Sequence, residues 1–175
     1  MHCIFITRCY KATNIPVIKQ NLTTVFSGSK HTYEHGLICD VTRGAKPKEF
    51  ASFCDGLTLP QIYDAKPEKD EYNTNGIDRF LCLSSHAMWF RHSNDETNVY
   101  VYILDDDNQI TPDFLTALDA CEDGDPDAVV FKVYGHPQWG DISILDHDAI
   151  GKIDWANMLI RLDVMRRLKV YTLGA

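Results

Sequence analysis

The stretch "TNVYVYILDDDNQITPDF", residues 97–114, constrains this chain more than any other. From Val99 to Leu104 every residue is apolar or aromatic, with no polar residue at alternate positions. Such a strand has no face to give to water, so it belongs inside a sheet covered on both sides, as central strands of parallel α/β sheets are. Asp105, Asp106 and Asp107 follow it without a spacer. Like charges in a row repel one another, which raises the question of what neutralises them there.

The rest of the chain repeats the strand-to-helix theme. "CIFIT" is a short β-branched run that fits a buried first strand. Asn14 then stands as a helix N-cap with Pro16 behind it, and Ile15, Ile18, Leu22, Val25 and Phe26 recur at helical spacing. "HGLICDV" predicts a second buried strand ending at Asp40, and "TRGAKPKE" a loop. Residues 55–76 are polar and irregular and are expected to form a long loop with room for a short helix. Ile77, Phe80, Leu81, Met88 and Trp89 share the spacing of a buried helix face. Thr111, Pro112 and Asp113 supply an N-cap, a first-turn proline and an acidic first turn for the helix "DFLTALDAC". "DGDPDA" marks a turn, "AVVFKVYG" a further strand, "DISIL" a short strand and "DWANMLIRLDVMRRL" an amphipathic helix. The alternation predicts an α/β fold, a mostly parallel central sheet flanked by helices.

Composition narrows the class. At 175 residues the chain matches one domain, 1–175, and 45% hydrophobic with 24% charged residues is ordinary for a globular protein. A formal charge of −8 argues against nonspecific binding to nucleic acid or anionic lipid, which needs a basic face. The six cysteines form no CxxC pair and several lie in apolar segments, which suits reduced thiols. "MHCIFITRCY" lacks the basic start and long apolar stretch of a signal peptide, and no window is apolar enough to span a bilayer. A soluble, cytoplasmic protein without a transmembrane segment is the expectation.

In open α/β sheets ligands bind beyond the carboxyl ends of the strands. Asp105, Asp106 and Asp107 fall at such an end, and clustered carboxylates suit hard cations such as Mg²⁺ or Mn²⁺ that share their shell with substrate phosphates. The competing explanation is a solvated turn plus a helix-capping charge. Thr7, Arg8 and Tyr10 follow the first strand and Asp40 closes the second, so a ligand in the crevice would meet a hydroxyl, a cation, an aromatic ring and a carboxylate. Taken singly, Asp40 also suits a turn and Arg8 a surface ion pair. "HTYEH" at 31–35 matches the H-x-x-E-H zinc pattern, which needs both histidines on one helix face. Here it runs straight into the strand "GLICDV", so that helix is missing. Arg161, Arg166, Arg167 and Lys169 form a basic run that Asp154 and Asp163 interrupt, as on a solvated amphipathic helix. No G-x-G-x-x-G, Walker A or G-x-S-x-G sequence occurs.

The set "CIFITRCYKATNIPVIKQNL", "ICD", "NTNGIDRF" and "VYVYILDDDNQITPDFL" resembles the nucleotide-sugar glycosyltransferases of the GT-A fold, in particular small family 2-like members. The resemblance covers the chain to residue 120 and weakens beyond. It implies a DxD motif at Asp105-Asp106-Asp107 that holds Mn²⁺ or Mg²⁺ on the donor diphosphate, with Asp107 as direct ligand and Asp105 or Asp106 facing ribose or metal. By the same resemblance Thr7, Arg8, Tyr10 and Asp40 hold the nucleoside, and Asn75 and Arg79 lie near the nucleotide. "GKIDWANMLIRLDVM" is similar to the stretch beyond the acceptor loop, which makes Asp154 the candidate general base of an inverting member. Family members usually continue with further acidic segments where this chain stops at "YTLGA", so a domain lacking C-terminal elements is expected. The implied activity is metal-dependent transfer of a sugar, a hexose by family habit, from a nucleoside diphosphate sugar to a glycan or other hydroxyl acceptor. Two other readings stay open: a noncatalytic or degenerate nucleotide-sugar binding domain, and a metal-dependent nucleotidyltransferase that acts on a nucleoside triphosphate.

Overall fold

The computed structural model describes residues 1–9, 11–39, 46–51, 59–64, 92, 97–136, 140–142 and 158–167. Strand β1 (His2–Cys9) leads through a single 3-10 turn, Ala12–Asn14, into helix α1 (Ile15–Phe26). Strand β2 (Thr32–Cys39), helix α2 (Pro47–Ala51) and strand β3 (Leu59–Asp64) follow. Beyond lie β4 (Val99–Ile103), α3 (Asp113–Cys121), β5 (Ala128–Val130), the β6 (Val133–His136) and β7 (Gly140–Ile142) pair, β8 (Met158–Arg161) and α4 (Leu162–Arg167).

Six strands form one open sheet in the order β3-β2-β1-β4-β8-β5, and β6 with β7 forms a separate two-stranded sheet. The sheet is mixed: β3, β2, β1 and β4 run parallel, whereas β8 is antiparallel to both β4 and β5. All five residues of β4 are buried, as its unbroken apolar sequence demands.

Alternation along β1 divides the core in two. Cys3, Phe5 and Cys9 face the layer built by Ile15, Ile18, Leu22 and Phe26 of α1 and Phe114 and Leu118 of α3. Ile4 and Ile6 face the other way, where Val99, Val101 and Ile103 pack with Leu162 and Met165 of α4. Phe5 stands at the centre of the first layer, its ring within 5.6–6.3 Å of those of Phe26, Tyr33, Tyr102 and Phe114. Burial pushes the Cys3 thiol up to about 12, so it remains a protonated, inert core group.

Several sequence expectations are corrected. The segment expected to be one amphipathic helix is strand β8 and then α4 over its described part. Leu159 and Ile160 are adjacent yet both buried, one in each core layer, which only an extended chain sheathed on both faces permits. "AVVFKVYG" divides between two sheets as β5 and β6. A strand, β3, stands inside the expected 55–76 loop, and Pro47 to Ala51 are helical. Asn14 occupies the N-cap of α1 without a side-chain capping bond, and α3 starts one residue later than the threonine suggested, with Pro112 at its N-cap. Among the described residues no helix is long and apolar enough to cross a membrane.

Candidate functional site

Parallel pairing brings the ends of β1, β2 and β4 to one edge of the sheet. Cys9 lies opposite Cys39, and Ile6 opposite Ile103, with the Leu104 N–H donating to the Ile6 carbonyl at 2.9 Å to carry the ladder one residue further. The acidic run therefore emerges beside the segment that follows β1.

The three aspartates have different surroundings. A turn closed by the Asn108 N–H on the Asp105 carbonyl (3.1 Å) rotates successive side chains apart. Asp106 is 3% exposed, and its Oδ2 accepts the backbone N–H of Lys11 at 3.2 Å. A buried carboxylate that takes a backbone donor ties the loop after β4 to the loop after β1. Asp105 is half-buried, and Asp107 is exposed. The repulsion is eased by pointing the charges in different directions and giving the middle one a donor.

Asp107 opens onto a cavity of about 610 Å³, within the size range of small-molecule sites. Tyr102, Leu104 and Phe114 line it, together with Asp113, Lys132 and Tyr134. Phe131 stacks on Phe114 at 4.6 Å with 19° between the rings, and the Lys132 ammonium stands 4.7 Å from the centre of the Tyr134 ring. The loop bordering the cavity is fixed from below by Asn21. Its side-chain amide donates to the Ile110 carbonyl and accepts the Ile110 N–H, both at 2.9 Å. Lys132, Tyr134 and Asn21 were not anticipated from the sequence. Asn21 looks there like an ordinary exposed helix residue, and the two cavity residues follow an irregular break that no periodicity marks.

Thr7 is fully buried, and its hydroxyl shares a 3.0 Å hydrogen bond with His35 Nε2. Burial, reinforced by the charge of Lys19, pushes the His35 imidazole down to about 4, so it is neutral near pH 7. Arg8 lies on β1, but its side chain, like Tyr10, Asp40, Asn75, Arg79 and Asp154, lies outside the described residues.

The H-x-x-E-H segment lies on β2 and the residue before it, so a period of two, not 3.6, governs it. His31 bonds Asp119 at 3.1 Å, His35 bonds Thr7, and Glu34 faces the opposite side of the sheet. The two histidines and the glutamate cannot share one ion. Within the described part of the basic run, Arg161 and Arg167 are engaged in ion pairs. Arg161 reaches Asp125 at 3.1 Å, Asp127 at 2.8 Å and Asp163 at 2.6 Å, and its hydrogen bond holds the Asp163 carboxyl below the usual range.

No protein-family model matches the chain, and no curated protein matches its sequence. The case for function therefore rests on the site alone.

Proposed function

We propose that the chain is a metal-dependent glycosyltransferase that moves a sugar from a nucleoside diphosphate donor to a hydroxyl acceptor. The observation that carries this reading is the division of labour within the acidic turn. Asp106 is used internally to join two strand-end loops, while Asp107 presents its carboxylate to a cavity at the carboxyl edge of the sheet.

The donor set fits Mg²⁺ or Mn²⁺, which take one or two protein carboxylates and complete their shell with water and phosphate oxygens. Such an ion supplies positive charge to the diphosphate as it leaves. Asp107, the one aspartate of the three that lines the cavity, is the direct protein ligand. The Lys132 ammonium, which lines the same cavity, offsets further phosphate charge, and the exposed Tyr134 ring offers a flat surface to a base or sugar. Asn21 and Asp106 hold the loop in place without touching the ligand.

Calorimetric titration of nucleoside diphosphates with and without Mn²⁺ tests the assignment. Asp107→Ala is expected to remove the metal-dependent part of binding, and undiminished binding overturns it. Sugar transfer or donor hydrolysis with Mn²⁺ then distinguishes a working transferase from a domain that only binds the donor. Pyrophosphate release from a nucleoside triphosphate would point instead to nucleotidyl transfer.

A further inference from the structure

At the opposite, amino edge of the parallel strands, three side chains distant in sequence converge. His2 begins β1, Glu34 lies on β2 across from Ile4, and His92 precedes β4. The His2 Nε2 atom is 3.5 Å from Glu34 Oε1, and the His92 Nε2 atom is 3.6 Å from Glu34 Oε2. All three ligand atoms lie within 4.8 Å of one another. We propose that His2, Glu34 and His92 form a binding site for a divalent transition-metal ion of the Zn²⁺ class.

The distances suit the chemistry. Around a tetrahedral Zn²⁺ with bonds near 2.0–2.1 Å, neighbouring ligand atoms are separated by about 3.3 Å, and each imidazole nitrogen lies within a few tenths of an ångström of that separation from one oxygen of Glu34. Two imidazoles and one carboxylate make a borderline donor set that favours Zn²⁺, Co²⁺ or Fe²⁺ over Mg²⁺, and three protein ligands leave a position for water.

The surroundings orient the ligands. His2 Nδ1 is 2.8 Å from Thr32 Oγ1. With Nδ1 protonated and donating to that hydroxyl, Nε2 presents its lone pair toward Glu34, the arrangement that outer partners of metal-bound histidines impose. The His2 and His92 rings are 5.6 Å apart and tilted by 43°, so they do not stack and both nitrogens can aim at a common point. Arg166 of α4 donates to the His92 carbonyl at 2.8 Å, which fixes the third ligand's backbone against the sheet. Glu34 Oε2 is buried and accepts no hydrogen bond among the described residues, and the imidazole nitrogen beside it is His92 Nε2. The site is independent of the carboxyl-edge cavity and stands whether or not the transferase reading does.

Titration of the whole chain with Zn²⁺ by calorimetry, and with Co²⁺ by visible absorption, tests the proposal. One saturable ion is expected, with Co²⁺ bands of low coordination number and no thiolate charge-transfer band, since the ligands are nitrogen and oxygen. Glu34→Gln and His92→Gln should each weaken Zn²⁺ affinity at least tenfold and abolish the rise in unfolding temperature that Zn²⁺ gives the parent chain. His2→Gln removes a ligand at the start of a strand without disturbing the core, so the test survives if either other variant folds poorly. Asp107→Ala should leave Zn²⁺ affinity unchanged. Absence of saturable binding, a thiolate band, or unchanged affinity in the ligand variants overturns the site and leaves a Glu34–histidine ion pair in its place.

Discussion

The two edges of the parallel strands present opposite solutions to holding charge. At the carboxyl edge three consecutive aspartates come from one turn, and the fold spreads them apart, with one buried against a backbone N–H and one facing a cavity. At the amino edge single residues from β1, β2 and the approach to β4 are drawn together around one glutamate. Adjacent like charges must be separated by the backbone, whereas groups of opposite or neutral character can be gathered by it. The first arrangement leaves one carboxylate at a cavity, the second gathers two imidazoles around one carboxylate.

Phe5 stands at the centre of one core layer, so its truncation gives the largest expected effect. Phe5→Ala should lower unfolding free energy by about 3–5 kcal/mol, measured by denaturant titration. If nucleotide and Zn²⁺ binding respond unequally in the folded fraction, the edges are mechanically separate.

Acid should act on the inner part of the carboxyl edge through His35. Its folded value of about 4 lies below its ordinary 6.5, so the unfolded chain binds the proton more readily. Its contribution, on the order of 3 kcal/mol, is complete above 6.5 and is lost as pH falls toward about 4. Denaturant midpoints across that window should fall, and His35→Gln should flatten the fall. An unchanged slope in that variant means that other groups dominate the acid response.

The two neighbouring aspartates sharpen the contrast within one turn. Asp106→Ala deprives the Lys11 N–H of its acceptor and should cost about 1–3 kcal/mol of stability. Asp107→Ala, at an exposed position, should change stability by less than about 0.5 kcal/mol while removing metal-dependent nucleotide binding. Equal stability losses in the two variants would erase the division of roles inside the turn.

Much of the fold was legible because local pattern and tertiary demand agreed. The unbroken apolar run of β4 could only be central, and the 3.6-residue spacing of Ile15, Ile18, Leu22 and Phe26 could only be one helix face. The end of the chain misled because "MLIRLDVM" satisfies a helical period and a doubly buried strand alike, and the gap between β4 and β5 settled the matter. β3 was hidden because an edge strand needs little apolar sequence of its own when β2 supplies a partner.

By itself the sequence determined that an acidic turn ends a buried central strand, since hydrophobic burial and chain order leave no other placement. It also determined that the H-x-x-E-H segment has no helix to sit on. Only the tertiary structure decided which aspartate is structural and which faces the cavity, because turn dihedrals assign directions that residue type does not. Tertiary structure alone joined Glu34 to His2 and His92 as well. Their meeting depends on the parallel register of β1 with β2 and on the anchoring of residue 92 by Arg166, and neither leaves a local trace in the chain.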